Sequence, residues 1–146
     1  MNGFAALGIL IALVAAATVV GLAWRATTGR ARSTHGDEVV EATDVGAGGF
    51  GDRATLLQFS TEFCAPCRST ARVLGAVADD VDGVRHVEVD VTDRPELADR
   101  FRILQTPTTL VLDGTGAIRA RIGGAPRADE VRTTLHRILG SHHVSA

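Results

Sequence analysis

Between Gly3 and Trp24 the chain carries no charged side chain, and Thr18 is its one polar residue. Such a stretch cannot be an ordinary surface helix, which needs a polar face toward water. As a helix rising about 1.5 Å per residue it would be roughly 33 Å long, enough to cross about 30 Å of hydrocarbon. Trp24 closes the run, where an indole suits the headgroup level. Ala15, Ala16 and Ala17 would offer small residues to a signal peptidase. Against cleavage, Met1 and Asn2 supply no positive flank and the run is longer than a signal core. We read 1–24 as a retained transmembrane anchor that contacts the membrane through residues 3–24. Arg25, Arg30 and Arg32 follow it. The positive-inside rule would then keep the remaining chain in the cytoplasm, with an extracytoplasmic domain as the alternative.

Residues 25–52 read as a flexible linker because Gly29, Gly36, Gly46, Gly48, Gly49 and Gly51 punctuate them; inside it, Val39 to Ala42 reads as a short edge strand or lead-in. Beyond Arg53 the pattern turns regular and predicts one domain over 53–140, followed by a polar tail at 141–146. Thr55 to Phe59 is a short apolar run of buried-strand type, and Leu74, Val77 and Val81 recur at helical spacing. Val84 to Asp90 alternates as a strand does. Asp93 is placed to cap a short helix with Pro95 in its first turn, and that helix would bury Leu97 and Phe101. Thr108 to Leu112 and Ala117 to Ile122 flank the turn Asp113-Gly114-Thr115-Gly116 as a hairpin. A last helix from near Pro126 would bury Val131, Leu135, Ile138 and Leu139. The order strand, helix, strand, helix, strand, strand, helix predicts an α/β fold, a mixed sheet with helices on both faces.

Composition narrows the chemistry. The 146 residues carry 15 basic against 17 acidic side chains, net -2, which excludes a nucleic-acid binder working through a broadly basic surface. Every basic residue is Arg, so Schiff-base lysine chemistry and a Walker-type phosphate loop are excluded too. Two cysteines are too few for a disulfide scaffold. They form Cys64-Ala65-Pro66-Cys67, placed where the first strand of the domain gives way to its first helix. Backbone N–H groups at a helix start stabilise a thiolate, so Cys64 is expected to ionise readily. Pro66 suits a first turn, and the two-residue spacing brings the sulfurs within one turn. Arg68 adds a positive charge beside them. Zinc is disfavoured, because His35, His86, His136, His142 and His143 show no paired spacing to the cysteines; no metal site is expected.

Over roughly residues 53 to 139 these features resemble the thioredoxin family: C-x-P-C after a strand, Thr106-Pro107-Thr108 entering the next-but-one strand, and the order of elements. The resemblance implies a thioredoxin fold in which Cys64 attacks and Cys67 resolves. It also implies that Pro107 is a cis-proline against the disulfide and that Phe63, Ala65, Pro66, Thr106 and Gly123 border the substrate groove. Its implied chemistry is dithiol–disulfide exchange with protein disulfides, with no cofactor beyond the Cys64–Cys67 pair, an electron donor to re-reduce it, and a monomeric domain. Disulfide oxidation or isomerisation, and a peptide-binding module with little turnover, are the rival functions. The sequence also departs from the family. Phe63 stands where Trp is common and Ala65 where Gly is. Gln58 stands at the buried Asp beneath the resolving cysteine, and His86 where a Lys often pairs with that Asp. Gln cannot accept a proton, and Glu62 would substitute only by turning inward.

Overall fold

The structure, a computed structural model, describes residues 3–34 and 38–141. His35, His142, His143 and, apart from Ser141, the tail expected over 141–146 lie outside the described residues. Helix α1 (Gly3–Thr27) runs three residues past Trp24, with every side chain exposed. Among the described residues it is the one helix long and apolar enough to cross a bilayer, a test that a signal sequence near an N-terminus also passes.

The domain is built on strands β1 (Ala31–Ser33), β2 (Ala54–Ser60), β3 (Val84–Asp90), β4 (Thr108–Asp113) and β5 (Ile118–Gly123). They form one mixed sheet in the order β1-β5-β4-β2-β3. β2 is parallel to β3 and antiparallel to β4; β5 is antiparallel to β4 and to β1. Helix α2 (Ala65–Asp79) and helix α4 (Ala128–Ser141) cover one face, and helix α3 (Pro95–Arg100) lies on the other. This is the mixed sheet expected from the order of elements, with one strand more.

Alternation along β2 explains the two cores. Leu57 and Phe59 point toward Phe101, Leu97, Leu110 and Leu112, while Ala54 and Leu56 point toward Leu74, Val77, Val131 and Leu135. All seven β2 residues are buried, as its apolar run predicts for a strand covered on both faces. Leu74, Val77 and Ala78 return at helical spacing on α2, and Val131, Leu135 and Ile138 on α4. The turn after Asp113 is closed by that buried carboxylate, which accepts from the Thr115 hydroxyl, the Thr115 and Ala117 N–H groups and the Arg119 guanidinium. Burial alone would push its pKa up; these donors outweigh it and hold the carboxyl below its usual range.

Two expectations need correction. The N-cap of α3 is Arg94, one residue later than Asp93. The 25–52 segment expected as a flexible linker is in large part folded onto the domain. Gly29 N–H donates to the Gly123 carbonyl at 2.8 Å, and β1 extends the sheet beyond β5. Val39 bridges to Ala117, a 3-10 turn covers Ala42–Val45, and Val40 and Val45 are buried in the core beside Ile118 and Leu112. The glycines supply turns between these anchors; Gly46, at φ +71, ends the 3-10 turn in the left-handed region. Arg100, exposed on α3, pairs with Asp44 of that turn at 2.9 Å, and Arg94 donates to the Val45 carbonyl.

The anchoring of this segment predicts unequal mutants. In urea melts of the full chain, Val40→Ala should lose about 1.5–3 kcal/mol, from the methyl groups removed and the cavity left. Val39→Ala, at an exposed side chain, should stay within about 0.5 kcal/mol. Equal, negligible losses at both would restore the tether reading.

Candidate active site

The chain leaves β2 at Ser60, turns through Thr61 to Phe63 and enters α2 with Cys64 as its N-cap. Cys64 and Cys67 are joined as a disulfide with Cα atoms 5.3 Å apart. The Cys67 N–H donates to the Cys64 carbonyl at 3.1 Å, closing the first turn, and Pro66 sits in that turn where no N–H is missed. Cys67 is 2% exposed and Cys64 8%. Ala65, Pro66 and Arg68 are exposed around them, and Phe63 projects almost wholly into solvent at 91%. The Phe63 ring is therefore not core filler.

The Thr106–Pro107 peptide bond is cis. Pro107 is buried, its carbonyl accepts from Gly124 N–H at 2.8 Å, and Thr106 Oγ1 lies 3.3 Å from Thr61 Oγ1. The proline turn therefore sits beside the loop that leads into the disulfide. Gly123 does not share the cavity at the cysteines. That shallow cavity is lined by Ser60, Glu62, Cys64, Cys67, Glu88 and Asp90 among others, while Gly123 opens with Gln105 onto a neighbouring one.

Beneath Cys67 lies a polar chain that sequence reading resolved only in part. Gln58, fully buried, donates through Nε2 to the Cys67 carbonyl at 3.0 Å and to Glu88 Oε1 at 3.4 Å. A carbonyl can only accept, so the amide nitrogen must face Cys67 and the amide oxygen must face His86, whose Nε2 lies 3.0 Å away. His86 therefore carries its proton on Nε2. Glu62 is exposed and does not turn inward. His86 and Glu88 reach Gln58 because the parallel register sets Gln58 opposite Glu88 and Leu56 opposite His86. Period-two alternation places His86 and Glu88 on one face, but only the register shows which neighbour they meet. Burial draws the His86 pKa below 6.5, and the charge of Glu88 offsets this in part. Among the described residues no three His, Cys, Asp or Glu side chains gather as a metal site.

Comparison with known proteins agrees with this geometry. The family model described as Thioredoxin matches residues 48–137. Thioredoxin 1 of Nostoc sp. is 28% identical over 62% of this chain and 81% of its own length. The thioredoxin of Alicyclobacillus acidocaldarius is 32% identical over 53% of this chain and 74% of its own. Among solved structures, chloroplastic thioredoxin z is similar with a TM-score of 0.55 at 28% identity, covering 61% of this chain and 80% of that one. The thioredoxin of Trypanosoma brucei brucei gives 0.53 at 26%, covering 62% and 78%.

The half-buried imidazole has a consequence for pH. A histidine whose folded pKa lies below its unfolded value of about 6.5 binds fewer protons folded than unfolded. Stability is then fully present above about pH 6.5 and falls as pH drops toward and through the folded pKa. Unfolding free energy of the oxidised full chain should decline between about pH 7.5 and about pH 5.5, and His86→Gln should flatten that decline. An undiminished decline in the variant would assign it to other groups.

Proposed function

The chain belongs to the thioredoxin family, and we propose that it is a membrane-anchored thiol–disulfide oxidoreductase that reduces protein disulfides through Cys64 and Cys67. The observation that carries this reading is a C-x-P-C disulfide at a helix start beside a cis Thr106–Pro107 turn.

In this mechanism the Cys64 thiolate attacks one sulfur of a substrate disulfide. A mixed disulfide forms and the first substrate sulfur leaves as a thiolate. Cys67 then gives up its proton and attacks the Cys64 sulfur, which breaks the mixed disulfide and frees the second substrate thiolate. Two electrons pass from the Cys64/Cys67 dithiol to the substrate, and a donor dithiol restores them by the same exchange. Cys64 is assigned the attacking role because it is the helix N-cap and the less buried of the two sulfurs. Exposed Phe63, with Ala65, Pro66, Thr106 and Pro107, offers the surface for the substrate backbone. The cofactor is the disulfide pair itself, and the domain acts as a monomer. α1 would hold it at the bilayer, and Arg25, Arg30 and Arg32 would set it on the cytoplasmic side.

The proton leaving Cys67 needs another route than a buried carboxylate. Gln58 holds the Cys67 carbonyl and cannot take the proton, so the proton passes to the shallow cavity that Glu88 and Asp90 line with the cysteines. Resolution of the mixed disulfide is accordingly the step on which this chain departs most from the family pattern.

Cys67→Ser should accumulate mixed disulfides with substrate proteins, visible on non-reducing gels and dispersed by dithiothreitol, whereas Cys64→Ser should trap none. The full chain's reduction potential, read by thiol tagging across redox buffers, should lie near the roughly -270 mV of thioredoxin. A value of about -120 to -180 mV would instead assign an oxidase or isomerase on the extracytoplasmic side. No reversible disulfide at all would leave a peptide-binding module.

A further inference from the structure

Where α1 meets the domain, a cavity of about 350 Å³ is lined by Trp24 and Thr27 of the helix, by Arg30 and Arg32 of the segment after it, and by Arg102 and Arg121 of the domain. Its position is set by short connections. The Thr28 N–H still bonds the Trp24 carbonyl, and the next residue, Gly29, bonds Gly123 of β5. Less than one helical turn therefore separates the apolar helix from the sheet.

The charges in this cavity repel one another. Arg32 and Arg121 are directly opposed across the antiparallel β1–β5 pair, an arrangement that destabilises a sheet when both side chains carry the same sign. The charge of Arg102 also acts against Arg121. Among the described residues, none of the four arginines lies in an ion pair; the charge of Glu38 reaches Arg121, but not at ion-pair distance. Arg121 is fixed by donating to the Phe101 and Arg102 carbonyls at 2.7 and 3.3 Å. Arg102 itself is held at φ +51, the left-handed region that a residue with a side chain enters at a cost. The like charges are thus built into the fold, and a bound anion would relieve them.

We infer that this cavity takes the phosphate group of an anionic lipid headgroup, which seats the cis-proline end of the domain against the bilayer surface. Guanidinium groups match phosphate oxygens in paired hydrogen bonds, and the cavity has room for a headgroup phosphate but not for a folded partner. A lipid is favoured over a soluble anion because Trp24 closes the apolar run at headgroup depth. Positive charge also predominates around the helix exit: Arg25, Arg30 and Arg127 line a second cavity there, against one carboxylate, Glu130. The exposed side chain of Leu104, 95% accessible on the same rim, would face the interface. This inference rests on α1 spanning a membrane.

The chain has one tryptophan and no tyrosine, so its tryptophan emission reports on Trp24 at this cavity. The full chain in dodecyl maltoside micelles would be titrated with phosphatidylglycerol, phosphatidylcholine, inorganic phosphate or a polyglutamate peptide. A saturable change in Trp24 emission is expected with phosphatidylglycerol, with phosphatidylcholine at least tenfold weaker. Arg30→Gln/Arg32→Gln, at two exposed side chains, should weaken the phosphatidylglycerol response at least tenfold. The same variant should leave the circular dichroism spectrum and the dithiothreitol reduction rate of Cys64–Cys67 unchanged. Equal responses to the two lipids, or an unweakened variant, would overturn the inference. Inorganic phosphate or polyglutamate matching phosphatidylglycerol would overturn its lipid source. Flotation of the full chain with phosphatidylcholine vesicles separates the two ideas. A chain that floats but shows no lipid preference refutes the headgroup site alone, and one that stays in the aqueous phase refutes the anchor and the site with it.

Discussion

Strand β2 has no exposed residue, and the remaining elements are arranged from it. A strand buried on both faces must find hydrogen-bond partners on both edges and apolar cover above and below, because any unpaired backbone group there loses water without replacement. β3 and β4 supply the edges, and the two cores supply the cover. Where this rigid strand ends, the chain turns directly into α2. The disulfide therefore stands close to backbone held on both edges and both faces, with only Thr61 to Phe63 between the strand and the helix cap. That rigidity suits exchange chemistry, which needs the second thiol held in line behind the first.

The same strand carries Gln58 under the site. A carboxylate at this depth would serve as a proton acceptor, but at the expense of desolvation. An amide avoids that penalty and links three groups, the Cys67 carbonyl, Glu88 and His86. The exchange alters the task of the position. Gln58 holds the Cys67 backbone and ties it to His86, since a ring that must donate through Nε2 cannot turn or change tautomer without breaking the chain of bonds. In the proposed mechanism the acid–base function would shift outward, to carboxylates that solvent can reach.

What could be read from sequence was whatever local chemistry determines. The cysteine pair at a strand–helix boundary, the Thr106-Pro107-Thr108 turn, the apolar run of β2 and the helical spacing of α2 and α4 each announce themselves within a few residues. β1 did not, because Ala31-Arg32-Ser33 is a short, polar edge strand with no apolar period, the composition that keeps edges from pairing wrongly. The burial of Val40, in a stretch legible only as an edge strand or lead-in, and of Val45, just before the glycines, had no periodicity to betray it. The contacts of His86 and Glu88 with Gln58 and the opposition of Arg32 to Arg121 depend on inter-strand register, which a single sequence leaves open.

Together β1 and Gly29 change what the N-terminal region does. A flexible linker would let the domain sample a wide volume around its anchor, with reach growing as the square root of linker length. Here the chain is hydrogen-bonded to the sheet within two residues of α1, so the domain has almost no free tether. The strand that receives it, β5, is the one paired with β4 immediately after the cis-proline turn. With α1 in a bilayer, the turn that borders the substrate surface would be held close to the headgroups. Disulfides within that short distance of the membrane would then be favoured over those of freely diffusing proteins, because the anchored geometry raises the local concentration only of what lies at the surface. Specificity of this kind would reside in the attachment and not in the groove, whose proposed border is generic, an exposed Phe63 and the backbone beside Pro107.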